Sequence, residues 1–145
     1  MQIIEKPGFM AVGVKVQGDF ETLQEIMPAA WEDFYKSAKE IKHKLNEVYM
    51  DICLQEVEGV YTQFICAEVS SFEEIPVGMT YLEISEDKYL HYIHTADIME
   101  IAASFEEMYS YSEARGYTAD SFKIDYVYKE GSTETEHELY LRVIE

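Results

Sequence analysis

Three side chains near the end of the sequence could together bind a positively charged molecule. Glu138 and Tyr140 lie two residues apart in the segment HELYLRV, and Asp125 lies in the earlier segment SFKIDYVY. Alternate residues of a strand point to the same face of a sheet, so Glu138 and Tyr140 share a face. If the two segments pair as a hairpin, one register places Asp125 roughly opposite Glu138. Two like charges in that position are unfavourable unless a cation lies between them, and that arrangement would be a binding site.

The opposing interpretation of these residues is a solvated ladder of cross-strand charges with only local pairing. The members of that ladder would be Lys123, Asp125, Glu138 and Arg142. The other face of the last strand is mostly aliphatic, which is typical of a core: His137, Leu139, Leu141 and Val143. The residues alone leave the ladder and the cation site open.

Two amphipathic helices are predicted to stand beside these strands. The first carries an apolar stripe with spacings of three and four residues, formed by Met27, Ala30, Trp31, Phe34, Tyr35, Ala38 and Ile41. Pro28 suits its first turn, and the preceding DFETLQEI is expected to form a separate turn or a kinked lead-in. In the second helix, Asp97 and Glu100 have the spacing of a capping box, and Gly116 suits the position just after the helix.

Strand patterns fill much of the remaining sequence. They are predicted near 9–17, 47–55, 60–70, 79–85, 88–95, 121–129 and 136–144. With the helices, the order is β-α-β-β, a connecting strand, and β-α-β-β again. Short loops between successive strands, including a looser turn from Lys129 to Thr135, indicate antiparallel hairpins, so the predicted class is α+β. A length of 145 residues without a linker indicates one domain over 1–145.

Composition narrows the classes of partner. The net charge is −18, with 11 Lys and Arg against 29 Asp and Glu. Direct binding of nucleic acid requires clustered cations, which the sequence lacks. Acidic proteins suit cationic ligands or a basic protein partner. The sequence contains neither a signal peptide nor an apolar run of membrane-spanning length, so we expect no membrane partner and a cytoplasmic location.

The residues that could hold a metal or a cofactor do not form a recognisable set. His91 and His94 are three residues apart in a predicted strand, so they point to opposite faces. No cysteine lies at zinc-ligand spacing near them, and the two cysteines are expected to be reduced and buried. A phosphate-binding glycine loop is also missing from the sequence. We therefore expect neither a metal nor a cofactor.

Taken in order, several short motifs resemble those of the GyrI-like family, also called the AraC-type effector-binding domain. The motifs are Trp31-Glu-Asp-Phe34-Tyr35, Phe64-Ile-Cys-Ala-Glu68-Val69, Ile75-Pro76-Val-Gly78-Met79, Lys88-Tyr89 and Glu138-Leu-Tyr140-Leu-Arg-Val. The resemblance covers essentially the whole chain. It implies a pseudo-twofold α+β fold with an antiparallel sheet, two main helices and a central ligand pocket. It also implies a stand-alone member, since the helix-turn-helix domain of the family's sensors is missing from this sequence.

The resemblance also implies which residues line the pocket. Glu138 and Tyr140 match the acid and the tyrosine of the family's closing strand, and Asp125 takes the place of a glutamate in the preceding strand. Trp31 and Tyr109, on the helix stripes, and Tyr89, on a strand, are expected to form aromatic walls. Helix aromatics are more often core residues, and that alternative stays open.

Three functions are compatible with these features. The first is capture of a hydrophobic, cationic, drug-like or toxin molecule, as in the multidrug sensors of the family. The second is hydrolysis of an electrophilic, cyclopropane-type toxin, with Glu138 or Asp125 as the general base. The third is an acidic interaction protein that inhibits a DNA-handling enzyme such as gyrase.

Overall fold

A computed structural model describes residues 1–128 and 136–144. Eight strands form one antiparallel sheet, and two helices cover one of its faces, as the predicted α+β class requires. The strands are β1 (Gln2–Lys6), β2 (Phe9–Asp19), β3 (Lys44–Val57), β4 (Val60–Val69), β5 (Thr80–Ile84), β6 (Asp87–His94), β7 (Thr118–Tyr128) and β8 (His137–Ile144). The helices are α1 (Phe20–Ala38) and α2 (Ile101–Ala114).

The two halves of the sheet have the same plan, with equivalent strands at equal distances from the centre of the sheet. It runs β1-β6-β8-β7-β3-β4-β2-β5, so the β2-α1-β3-β4 unit and the β6-α2-β7-β8 unit meet at the β3–β7 pair. In each unit the second strand lies nearest the centre of the sheet, and the first strand lies farthest from it. β5 and β1 extend the first and second units, respectively. This arrangement is the doubled β-α-β-β plan with an approximate twofold axis between β3 and β7.

Apolar clusters occupy both faces of the sheet. On one face, α1 packs through Phe34 and Ala38, and α2 packs through Phe105 and Met108. On the other face, side chains from six strands form a third cluster that includes Ile52, Phe64, Tyr89, Phe122 and Ile124. Burial on both faces explains why many strand positions are apolar in succession rather than in strict alternation.

Helix α1 is one continuous helix from Phe20, so the prediction of a separate turn over DFETLQEI is wrong. It begins at Phe20, after Asp19, whose Oδ1 accepts a hydrogen bond of 2.7 Å from the Thr22 N–H. Pro28 therefore lies inside the helix rather than in its first turn. The apolar stripe begins at Leu23, which is buried, and its burial favours helix on both sides of the proline.

Helix α2 begins later than its predicted cap. Asp97 is followed by a 3₁₀ turn over Ile98–Glu100, and its Oδ1 accepts a hydrogen bond of 2.8 Å from the Met99 N–H. The helix then starts at Ile101. Its end matches the prediction, because Gly116 has φ +83° and the Tyr117 N–H donates to the Ser112 carbonyl at 3.0 Å.

The seven predicted strands are confirmed, with boundary shifts of a few residues. β1 was not predicted, because its five residues precede Pro7 and Gly8 and show no sustained alternation. The predicted hairpin loop from Lys129 to Thr135 lies outside the described residues. Within the described ranges, neither helix is long and apolar enough to cross a membrane.

Candidate functional site

A cavity of about 680 Å³ lies between α1 and α2, over the centre of the sheet. Its walls are mostly apolar, and its floor is the β3–β7 pair at the junction of the two units. The lining residues are Phe20, Leu23, Gln24, Met27, Pro28, Trp31, Asp51, Cys53, Tyr61, Gln63, Met99, Ile101, Ala102, Phe105, Glu106, Tyr109, Lys123, Asp125 and Tyr128. A volume of this size is within the range that holds drug-sized ligands.

Two aspartates face each other across the cavity floor. Asp51 of β3 is directly opposite Asp125 of β7 in the antiparallel register, so both side chains point toward the helices. Asp51 is partly buried, and its Oδ1 accepts a hydrogen bond of 2.9 Å from Gln63 Nε2 on β4. Asp125 is 7% exposed. The twofold relation between the units therefore brings two carboxyl groups together at the base of an apolar cavity.

Asp125 is held by two further hydrogen bonds. The Tyr128 hydroxyl donates to its Oδ2 at 2.6 Å, and the Nδ1–H of His137 on β8 donates to its Oδ1 at 2.7 Å. Burial raises the pKa of Tyr128 well above its usual value, so its hydroxyl keeps the proton that it donates. These bonds fix the carboxyl group of Asp125, whereas Asp51 accepts a bond from one neutral amide.

The environment of the cavity disfavours negative charge on both aspartates. Burial, together with the neighbouring charge of Asp125, raises the pKa of Asp51 to about 7, against the opposing effects of Gln63 and Lys123. Burial also raises the pKa of Asp125, against the opposing effects of its bonds from His137 and Tyr128. A positive charge placed between the two carboxyl groups would favour their ionised forms.

Aromatic rings form the α1 side of the cavity. Trp31 stacks on Tyr128, with 4.4 Å between ring centroids and 22° between ring planes. The Trp31 ring also lies 5.2 Å from the Tyr35 ring. Trp31 and Tyr128 both line the cavity, and the faces of aromatic rings attract organic cations. On the α2 side, Tyr109 is positioned by its hydroxyl, which donates to the Asp120 carbonyl at 2.8 Å.

Three of the six predicted site residues line this cavity. Asp125, Trp31 and Tyr109 lie in its floor or walls. The other three residues, Glu138, Tyr140 and Tyr89, lie on the opposite face of the sheet. There the Tyr140 hydroxyl donates to Glu138 Oε1 at 3.3 Å, and Tyr89 is 1% exposed within the third apolar cluster.

The register that would place Asp125 opposite Glu138 does not occur. Asp125 is opposite Leu139, and Glu138 is opposite Tyr126, so Asp125 and Glu138 point to different faces. A register shift between Ala119 and Lys123 accompanies this pairing. Burial of Leu139 against α2 accounts for the register, since the alternative would turn this side chain away from the helix.

The sequence reasoning missed Asp51 and Tyr128. Asp51 interrupts the apolar run of β3, and it lies in the second strand of its unit, as Asp125 does in the other unit. The doubled β-α-β-β plan, together with an acid inside an apolar strand segment, is the sequence signal that could have identified Asp51. Simple alternation along β7 would place Tyr128 on the same face as Tyr126. A register shift between Tyr49 and Met50 on the partner strand accompanies its turn toward the cavity.

The side chains of the cavity include no recognisable metal centre. Within residues 1–128 and 136–144, no three His, Cys, Asp or Glu side chains are grouped so that they could hold a metal ion. Cys53 lines the cavity and Cys66 is buried on the other face of the sheet, and both are free thiols. Burial raises the pKa of both thiols.

Sequence comparison assigns the chain to a family. The family Cass2, integron-associated effector binding protein, matches residues 2–143. The chain belongs to the Cass2 family. This family is GyrI-like, so the resemblance predicted from the short motifs is confirmed.

A regulator and several solved structures are similar to this Cass2-family protein. The transcriptional regulator BrlR of Pseudomonas aeruginosa is 28% identical over 130 residues, which are 88% of this chain and 47% of BrlR. The chain thus spans about half the length of that curated relative.

Two solved structures share the fold over nearly the whole chain. The structure of SAV2435 bound to tetraphenylphosphonium has a TM-score of 0.77 and 16% identity, and the match covers 99% of this chain and 93% of SAV2435. An integron cassette protein from the mobile metagenome of Vibrio cholerae has a TM-score of 0.71 and 18% identity, with coverage of 99% and 95%. At these identities the likeness establishes the fold.

Proposed function

We propose that this Cass2-family protein binds a hydrophobic small molecule that carries a positive charge, in the cavity between α1 and α2. The observation that carries the proposal is the direct opposition of Asp51 and Asp125 at the floor of an apolar cavity. In this role the two carboxyl groups supply the counter-charge, and the rings of Trp31, Tyr128 and Tyr109 contact the apolar body of the ligand.

The electrostatics of the empty cavity favour a cation. Burial raises the pKa values of both aspartates, and the charge of Asp125 also raises that of Asp51, so the ionised pair is held at a cost in free energy. A cation that enters between them offsets that cost and gains attraction strengthened by the low dielectric constant of the cavity. Each ring face adds roughly 0.5–2 kcal/mol of attraction for a cation, depending on desolvation.

The fold relatives agree with this class of ligand. Tetraphenylphosphonium, which is bound to SAV2435 in its structure, is an aromatic body around a single positive charge. The name of the Cass2 family also describes an effector-binding protein. The first observation supports a partly aromatic cation as the ligand class, and the second supports the binding of an effector.

Calorimetric titration with two ions of the same shape tests the proposal. Tetraphenylphosphonium and tetraphenylborate differ in the sign of their charge and little in size. At pH 8, where Asp51 is mostly ionised, wild-type protein should bind the phosphonium and reject the borate. Asp51→Asn should weaken phosphonium binding by roughly 1–3 kcal/mol, the usual effect of losing a charged contact. Lowering the pH to 6 should weaken binding to wild type more than to Asp51→Asn, because protonation of Asp51 removes its charge.

Two control variants remove one negative charge outside the cavity. Asp33→Asn changes an exposed residue of α1, and Glu138→Gln changes the predicted acid on the opposite face of the sheet. Both should bind the phosphonium as wild type does. The proposal fails if wild type binds neither ion, or if Asp33→Asn weakens binding as much as Asp51→Asn. A selective loss in Glu138→Gln would instead assign the cation site to the opposite face.

A further inference from the structure

A lysine side chain lies inside the proposed cation cavity. Lys123 is on β7, two residues before Asp125, and it lines the cavity on the α2 side. Its ammonium nitrogen lies 5.4 Å from the ring centroid of Tyr109, 5.8 Å from that of Phe105 and 6.0 Å from that of Tyr61. A cage of three rings is the kind of surface that would hold the positive charge of a ligand. In this protein the cage already holds a positive charge of the chain itself.

The charge of Lys123 has no ion-pair partner among the described residues. Its Nζ donates to two neutral oxygens, the Tyr109 hydroxyl at 3.2 Å and the Ser121 carbonyl at 3.4 Å. An ammonium group has three N–H donors, so a third donor is available to a ligand. Lys44 differs in this respect, because its Nζ lies 2.9 Å from the Glu47 carboxylate.

The cavity therefore presents both signs of charge to a ligand. Asp51 and Asp125 make the floor acidic, and the Lys123 ammonium makes the α2 side basic. The two regions are close enough to interact, since the charge of Lys123 lowers the pKa of Asp51. Lys123 is directly opposite Cys53 in the β3–β7 register, and this pair is two residues along each strand from the pair of Asp51 and Asp125. A ligand that spans the floor and the α2 side meets an acidic pair and then an ammonium group.

We propose that the preferred ligands are zwitterions, in which a hydrophobic body carries a cationic group and an anionic group. The cationic group lies at Asp51 and Asp125, and the anionic group accepts a hydrogen bond from Lys123 Nζ. This assignment rests on the proposed function, since it concerns the same cavity. Lys123 is a specificity-determining residue in this scheme. It disfavours ligands whose only charge is positive, because its ammonium repels them and occupies the ring cage.

Two dyes that share one ring system test this inference. Rhodamine 6G is a cationic ester, and its free acid, rhodamine 19, is a zwitterion at pH 8. Wild type should bind rhodamine 19 roughly tenfold more tightly than rhodamine 6G in fluorescence anisotropy titrations, the scale of one charge-assisted hydrogen bond. Lys123→Met should lose that preference and bind rhodamine 6G more tightly than wild type does. Lys42→Met removes one positive charge from an exposed residue and should keep the wild-type ratio.

The outcomes separate this inference from the proposed function. If wild type binds both dyes with equal affinity, or if Lys123→Met keeps the wild-type ratio, the zwitterion assignment is overturned and the cation cavity stands. If wild type binds neither dye and no tetraphenylphosphonium, the proposed function fails and the assignment fails with it. Lys123→Gln removes the charge but keeps a donor toward Tyr109, and it serves as the test variant if thermal melts show that Lys123→Met is unfolded.

Discussion

Replacing Asp51 with asparagine should stabilise the ligand-free protein, and the gain should be larger at pH 8 than at pH 5. The pKa of Asp51 rises from an ordinary value of 3.8 to about 7 in the folded protein, mainly because of burial. Between these values the folded protein holds a proton that the unfolded chain has released. The free energy of unfolding therefore falls as the pH rises through this window. Asparagine does not titrate, so this decrease in the free energy of unfolding is absent from the variant.

The size of the effect follows from the width of the window. Each pKa unit corresponds to about 1.4 kcal/mol, so the interval between pH 5 and the folded pKa corresponds to at most roughly 3 kcal/mol. Asp51 is only partly buried, and solvent screening reduces this figure. We expect the variant to gain about 1 to 2 kcal/mol relative to wild type between pH 5 and pH 8. The hydrogen bond from Gln63 Nε2 can be kept, because the asparagine side chain retains an oxygen acceptor.

Urea unfolding of wild type and Asp51→Asn at pH 5 and pH 8 measures this difference directly. Each pair is compared at one pH, so the titration of acidic groups distant from Asp51 affects both proteins alike. Asp33→Asn, at an exposed position on α1, should show no such pH-dependent gain. An equal difference at the two pH values, or a larger one at pH 5, would contradict the raised pKa of Asp51 and with it the repulsion between the two aspartates.

Two other substitutions probe the aromatic wall and the sheet. Trp31→Leu removes the ring whose centroid lies 4.4 Å from that of Tyr128, and it should weaken tetraphenylphosphonium binding by roughly 1–2 kcal/mol in calorimetry. Trp31→Phe keeps a ring and should lose less affinity. Equal affinity in wild type and both variants would exclude Trp31 from the site. Gly13→Ala should lower the free energy of unfolding by roughly 3 kcal/mol in urea titrations, since its Cβ would lie 2.0 Å from the Ile65 carbonyl oxygen. Gly18→Ala, whose Cβ would meet only the Thr22 and Leu23 side chains, should cost less, and the reverse order would contradict the packing around β2.

The sequence predicted the elements of the fold better than their pairing. The stripe of α2, the glycine at its end and the alternation within the strands are local patterns, and each depends on a few neighbouring residues. The boundaries of α1 were harder to predict, because Pro28 is normally a sign of a helix start. The burial of Leu23, just over two turns before Trp31, extends the helix past that signal.

The site depended on pairing that the local pattern does not contain. Asp125 was predicted to be near a second carboxyl group, and it is, but that group belongs to Asp51 rather than Glu138. A shift of one residue in the pairing of β8 with β7 turns every side chain of β8 to the opposite face of the sheet. Tyr128 reaches the cavity only because the register changes next to it. Such shifts depend on packing against distant strands, so they are not visible in a short segment.

The position of β1 has a consequence for the order in which the chain folds. β1 precedes the first unit in sequence, yet it pairs with β6 of the second unit, where Gln2 lies opposite His91 and Lys6 lies opposite Asp87. During synthesis, β2, β3 and β4 can find their partners early, whereas β1 must wait until β6 has been made. Contacts so distant in sequence form late and slow the folding of a chain. Pairing of β1 should therefore be among the last steps of folding, and an isolated first unit would leave these residues without a partner strand.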